Sequence, residues 1–300
     1  MAFGEQTFDR LYQVTVGTRN GSSFSPLVTI EPPYQMTMKC EESLTNNGSA
    51  LNPAVVELYN IGPDNISLLG NQNLTVVVKA GYRYEGSKER LPNELDTIYV
   101  GDVVQVVTQN TGNNVVTTIH AQEGYKLLKT PPTNVTIPSK GNVVQAFQAA
   151  LSNSNITVRA LCANVGEKTT PKTTVFEGTV PEILNKICRK FSDNSPESYR
   201  NLTWSFHRGS IYIYDRFPLK DGVFGADFTI PRSRIKDTPS VGIDESTVNK
   251  QTGVVGVSTL QLSTFLAPQV TLNDTIRVAP LDEGLDDVGG KPYAVTAVTT

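Results

Sequence analysis

Asn52-Pro53-Ala54-Val55-Val56-Glu57-Leu58-Tyr59-Asn60-Ile61 and Leu74-Thr75-Val76-Val77-Val78-Lys79-Ala80-Gly81-Tyr82, joined by a short polar link, set two β patterns side by side. β-Branched and aromatic residues crowd both runs, and the link is rich in Gly, Pro and Asn, so two strands and a turn-rich connection are predicted. The stretch is a framework. It offers no grouping of side chains able to do covalent chemistry, which directs attention to surfaces rather than to a pocket.

Period-two alternation continues on both sides of this stretch. Tyr34, Met36, Met38 and Cys40 alternate with Gln35, Thr37, Lys39 and Glu41, which predicts one buried and one solvated face. Further strands are predicted over 12–16, 55–61, 74–80, 98–108, 115–121, 156–162, 202–206, 210–214, 254–262, 275–279 and 293–298. Trp204-Ser205-Phe206-His207-Arg208-Gly209-Ser210-Ile211-Tyr212-Ile213-Tyr214 reads as a tight hairpin with Gly209 free to take positive φ at the turn.

Helices are few. Thr179-Val180-Pro181-Glu182 combines capping-box spacing with an early proline, and Ile183, Leu184, Ile187, Cys188 and Phe191 then share one face. A second short helix is predicted from Asn142 to Leu151, with Val143, Val144, Phe147 and Leu151 inward. Both lie mid-chain between strand-rich ends. The reading is therefore a mainly β protein of tube-like barrel or sandwich domains with an inserted α+β segment. Residues 1–130 together with 220–300 make the β part, and residues 131–219 make the insertion. Pro131-Pro132 and the Pro218 to Pro231 stretch are the crossing points.

Composition narrows the function classes. Three hundred residues with 38% hydrophobic content suffice for one large core or two modest ones. A net charge of -3 gives no general attraction for phosphate backbones, so binding by charge neutralisation has no support. The N-terminus has neither a basic start nor an apolar run, and no stretch approaches the length of a membrane span. The Asn-x-Ser/Thr triplets at Asn20, Asn47, Asn65, Asn73, Asn134, Asn155, Asn201 and Asn273 are accordingly read as turn residues, not glycan acceptors. Cys40, Cys162 and Cys188 are odd in number and widely spaced, the pattern of buried small side chains.

No nucleotide-binding, zinc-protease or hydrolase motif is present. His120, within an alternating strand, reads as a residue facing solvent or an interface, and His207 stands beside a hairpin turn where a polar ring is ordinary. Adjacent Glu41 and Glu42 point to opposite faces of a strand and cannot act as an acid/base pair. Asp282, Glu283, Asp286 and Asp287 form an acidic loop that could hold calcium, yet lacks the EF-hand spacing; a solvated loop or a source of negative field are the other readings. Arg232, Arg234 and Lys236 alternate, so three cations share a side where they meet either water or acidic groups of a partner. No catalytic, cofactor or metal residue is assigned, and no cofactor is expected.

The wording of the strands carries a further signal. The Asn52 to Ile61 strand ends on Tyr59-Asn60. Val76-Val77-Val78-Lys79-Ala80-Gly81-Tyr82, Ile98-Tyr99-Val100-Gly101-Asp102-Val103 and Thr117-Thr118-Ile119-His120-Ala121-Gln122-Glu123-Gly124 follow in order. This succession resembles the tail or baseplate hub proteins of bacteriophages, a family related to the hub of secretion-system spikes. Leu266-Ala267-Pro268-Gln269-Val270-Thr271-Leu272-Asn273-Asp274, preceded by Gly253-Val254-Val255-Gly256-Val257-Ser258, resembles a C-terminal block of that family with Asn273 where glycine is usual. Asn tolerates positive φ, so the turn survives. The Val180 to Phe191 helix behind Gly178-Thr179 is similar to the family's inserted domain.

The resemblance implies a structural virion protein and no enzyme. It implies a homotrimer whose two barrel domains per chain form a pseudo-sixfold ring, joining a sixfold tail tube above to a separate threefold spike below, with DNA passing through without being held. Other baseplate proteins are implied neighbours, and assembly takes place in the bacterial host cytoplasm. Such an obligate interface should bury more than about 2,000 Å². Two other readings stay open at this point: a hexameric distal-tail or tube-terminator protein, and a carbohydrate- or receptor-binding β module presenting the aromatics of Trp204 to Tyr214. A peptidoglycan hydrolase would need a paired carboxylate or histidine-centred site that cannot be assembled from these residues.

Overall fold

The computed structural model describes residues 8–20, 23–43, 52–83, 95–152, 154, 156–160, 169–192, 202–215, 228–230, 235–236, 240–244, 257–264, 275–278, 292–295 and 297–299. It is mainly β, as the alternation predicts. Eight strands form one sheet: β1 (Phe8–Asn20), β2 (Ser23–Ile30), β3 (Met36–Ser43), β4 (Pro53–Tyr59), β5 (Leu74–Arg83), β6 (Asp96–Asn110), β7 (Val115–Gln122) and β18 (Ala297–Thr299). Their order is β18-β3-β4-β7-β6-β5-β1-β2, and every neighbouring pair is antiparallel.

The inward parity of these strands makes one apolar core. Val14 and Val16, Val28 and Ile30, Cys40, Val56 and Leu58, Leu74, Val76 and Val78, Tyr99 and Ile119 all belong to it. A helix occupies the link expected to be irregular. Pro63 opens α1 (Pro63–Leu69), the helix carries Ile66 and Leu69 onto the core, and Gly70 ends it. Strand β2 also escapes a periodicity reading, because Pro26 interrupts its pattern. The chain accommodates that proline at a bulge, where the register shifts between Val16 and Gly17. Gly17 is required there, since a Cβ would stand 2.2 Å from the carbonyl oxygen of Ser25.

Tyr34 departs from its predicted inward place. It lies in the turn before β3 and is exposed, while Met36, Met38 and Cys40 do face the core. Strand β4 stops at Tyr59 for a local reason. Asn60 takes φ 55°, its N–H donates to the carbonyl of Val115, and its Oδ1 accepts from the N–H of Val115. The Tyr-Asn wording is thus the stitch between the end of β4 and the start of β7.

A second body is built from α2 (Tyr125–Leu128), β8 (Thr133–Ile137), α3 (Val143–Ala150), β9 (Thr157–Ala160), β10 (Thr174–Gly178), α4 (Val180–Phe191), β11 (Leu202–His207) and β12 (Ser210–Asp215). Both predicted helices form where their caps place them. Asn142 Oδ1 accepts from Gln145 N–H while Gln145 Oε1 accepts from Asn142 N–H, and Glu182 Oε2 accepts from Thr179 N–H at 2.9 Å. Their apolar faces meet Leu127, Val135, Ile137, Phe176, Trp204, Phe206, Ile211 and Ile213 in a core separate from that of the sheet. The hairpin turn is Arg208-Gly209, with both residues at positive φ, as two-residue turns of this twist require.

Strands β13 (Phe228–Ile230), β16 (Thr275–Val278) and β17 (Pro292–Ala294) form a small sheet, and β14 (Ser240–Asp244) pairs with β15 (Val257–Gln261). The last strand, β18, pairs with β3 through Ala297 to Thr299 against Glu41 to Ser43. Sequence-distant ends of the chain therefore share one sheet.

Candidate functional site

Three of the strand wordings singled out in the sequence, at Asn52, at Tyr99 to Gly101 and at Glu123-Gly124, meet at the junction between the large sheet and the second body. Asn52, which precedes β4, is buried. Its Nδ2 donates to Glu123 Oε2 at 2.7 Å and to the carbonyl of Phe206 at 3.0 Å. The carbonyl of Asn52 accepts from Glu123 N–H at 3.1 Å and from the Tyr99 hydroxyl at 3.1 Å. Glu123 is 0% exposed, and its Oε1 accepts from Arg208 N–H at 2.7 Å. A carboxylate taken out of water must find donors, and these two arrive from segments 71 and 85 residues away in the chain.

The glycines of the same motifs have geometric reasons. Gly101 leaves room for Tyr99, whose hydroxyl oxygen would lie 2.4 Å from a Cβ at that position. Gly124 takes φ 66° and lies under Phe206, with the ring 3.1 to 3.4 Å from where a Cβ would be. Tyr-x-Gly and Glu-Gly are therefore packing signatures: one lets an aromatic lie along its own strand, the other lets the hairpin approach the end of β7.

Around this knot lies a cleft of about 230 Å³. Arg19, Thr75, Val100 and Asp102 line it from the sheet, and Leu127, Thr130, Ile156 and Phe206 from the second body. Asp102 ties the two sides together: Oδ2 accepts from Lys126 N–H at 2.9 Å, and Oδ1 lies 3.4 Å from Lys126 Nζ. Lys126 Nζ also donates to the Asn73 carbonyl at 2.9 Å and to Thr75 Oγ1 at 3.2 Å. The Arg19 guanidinium lies against Gly209 at the hairpin tip. With its charges engaged in holding strands and turns, this junction is built as a joint between two bodies.

The other sequence candidates are scattered. His120 is half-buried on the sheet face opposite the core, paired in register with Val55 and Gln105. His207, beside the hairpin turn, is 2% exposed, because β11 is covered on both faces, Trp204 and Phe206 on one and Thr203, Ser205 and His207 on the other. Its ring lies 5.8 Å from that of Tyr212. Trp204 is buried with its indole N–H donating to Asn185 Oδ1 at 2.9 Å. Trp204 and Phe206 thus offer no exposed platform to a sugar.

Glu41 is exposed beside Lys39, and Cys40 and Cys188 are buried. Lys236 is exposed, with its N–H donating to the Ser263 carbonyl. Arg232, Arg234, Cys162 and the acidic loop of Asp282, Glu283, Asp286 and Asp287 lie outside the described residues. Among the described residues no group of three or more His, Cys, Asp or Glu could hold a metal ion, and no helix is long and apolar enough to cross a membrane.

No protein-family model and no curated protein sequence matches the chain. Solved structures do. The 43 kDa tail protein of prophage MuSo2 from Shewanella oneidensis is 9% identical, with a TM-score of 0.59 over 97% of this chain and 92% of that one. The c3393 protein of E. coli is a component of the type VI secretion system, described as structurally similar to the T4 bacteriophage tail proteins gp27 and gp5. It is 11% identical, with a TM-score of 0.51 over 89% of this chain and 70% of that one. The chain shares its fold with this prophage tail protein and this secretion-system component, at an identity where only architecture is preserved.

Proposed function

We propose that this chain, which has the fold of a phage tail protein, is a structural virion component: a baseplate hub that forms a trimeric ring between a sixfold tail tube and a threefold spike. The observation that carries the ring is an open strand edge. Residues 103–110 of β6 pair with β7 on one side, while pairing with β5 ends at Asp102, and no described strand covers the remaining edge. Free edges are ordinarily blunted by lysine or proline. Here the whole of 103–122 contains no Asp, Glu, Lys, Arg or Pro, and Val104 at the β6 bulge is 45% exposed. An uncharged edge of Val, Thr and Gln suits completion by a sister chain.

The barrel-forming part is placed at 1–130 with 220–300 and the insertion at 131–219; the pairing of β18 with β3 supports a discontinuous β part, and the second body's separate core supports an insertion whose edge Leu127 moves back to α2. No catalytic role is proposed. DNA traverses the ring without being held, consistent in sign with the net charge of -3. Membrane insertion has no part in this reading, and the tube, spike and other baseplate proteins are the partners.

Light scattering of the purified chain, alone and mixed with the spike protein of the same particle, tests the reading. A trimer that binds the spike is expected, and Val104→Lys should reduce it to a folded monomer. A stable wild-type monomer indifferent to the spike overturns the hub assignment, and a hexamer assigns the chain to the tube terminus instead.

A further inference from the structure

We propose that the Asn52–Glu123 knot is a releasable joint, on which the second body turns as a unit relative to the large sheet while both cores stay folded. Each body has its own apolar core, and the two cores share no residue. Apart from the packing of Phe206 on Gly124, the contacts described between them are polar: the Glu123 carboxylate between Asn52 Nδ2 and Arg208 N–H, the Asn52 amide on the Phe206 carbonyl, and Asp102 on Lys126. Apolar seals resist opening at every point of contact, whereas interfaces held by a few hydrogen bonds permit relative motion of domains. The cleft beside the knot already separates Thr75 and Asp102 from Ser154 and Ile156, so rotation has space to begin.

The geometry also makes the joint two-state rather than loose. Glu123 is wholly buried, and losing either the Asn52 or the Arg208 donor weakens the hydrogen bonding of a group that cannot reach water in the closed arrangement. Opening therefore takes the knot apart as a whole and hydrates it. The chain offers a pivot where it passes from one body to the other. Gly124, at φ 66°, leads from the end of β7 into α2, and the Arg208-Gly209 tip rests against Arg19 of the sheet. The inference is independent of whether the chain forms a ring.

Native-state hydrogen exchange of the full chain, measured across increasing denaturant below the unfolding transition, tests this without any substitution. The amides of Glu123, Lys126 and Arg208 are expected to exchange through an opening that precedes exposure of the α4 amides around Ile187 and the β5 amides around Val78. If the junction amides exchange only with the global unfolding of either core, the joint does not exist. Asn52→Ala and Glu123→Gln supply a second measurement. Each should speed exchange at the junction by about 10- to 100-fold, with α4 and β5 unchanged, and the double variant should add little to either single one. Equal loss of protection in both cores, or full additivity, would overturn the proposal.

Discussion

Replacing Gly101 with alanine isolates the packing on which the junction rests. A Cβ there would stand 2.4 Å from the Tyr99 hydroxyl oxygen and 2.6 Å from Cε1 of its ring. Tyr99 is 0% exposed and donates to the Asn52 carbonyl, so its ring has no open space to enter. Overpacking of this kind costs about 1–3 kcal/mol, and displacement of the hydroxyl loses a buried hydrogen bond worth about 1 kcal/mol. Against this, removing a glycine stiffens the unfolded chain and returns about 0.4–1 kcal/mol, since the backbone at Gly101 is not in the left-handed region. The net expectation is a destabilisation of about 1–3.5 kcal/mol. Trp204, the single tryptophan, sits in the core of the other body and reports on that body, so exchange of β5 and β6 amides is the appropriate assay. A double-mutant cycle with Tyr99→Leu sharpens the result: with the aromatic ring gone, Gly101→Ala should lose most of its cost. A Gly101→Ala variant as stable as wild type, or an unchanged cost beside Leu at position 99, would refute the account of the Tyr-x-Gly wording.

Two further outcomes follow from the second body. Asn185→Ala leaves the buried Trp204 indole N–H without its 2.9 Å acceptor, and should cost about 1–3 kcal/mol with a shift in tryptophan emission, measured by denaturant titration. Glu182 is held below the usual glutamate value first by the Thr179 N–H and then by the Thr179 side chain, against an opposing desolvation and with a smaller contribution from Lys186. A depressed folded value means that its contribution is present above the unfolded-chain value of about 4.3 and is lost as pH falls through the folded value beneath it. Glu182→Gln should therefore weaken protection of the first turn of α4 at neutral pH and match wild type in acid, as read by hydrogen exchange at several pH values.

What was legible in the sequence follows from what kind of signal each element carries. Strands β4 to β7 and the Trp204 to Tyr214 hairpin announce themselves through alternation and turn residues, and α3 and α4 through caps and an apolar stripe, all of which are local. Strand β2 was hidden because Pro26 breaks its period, and only the non-local partner Gly17 makes the bulge affordable in space. Helix α1 was hidden because seven residues give too few apolar positions to show a period, although Pro63 and Gly70 mark its ends. The burial of His207 was illegible for a different reason: which strand becomes covered on both faces is decided by packing, not by alternation.

The candidate site was half visible. Asn52, Tyr99, Gly101, Glu123 and Gly124 drew attention as wording, but no periodicity says that residues 71 and 154 positions apart will bond to one amide. Once they meet, the restriction at each position is physical. Asn52 must donate twice from its side chain and accept twice on its carbonyl, which is the capacity of an asparagine residue and beyond that of an aspartate. Glu123 must reach both Asn52 and the hairpin, and Gly124 must give way to Phe206. A motif of this origin marks where two bodies are fastened, so in this fold the residues that look most like a signature are those that hold the architecture. What the chain does is then a matter of what its surfaces meet, with the uncharged edge of β6 as the first surface to test.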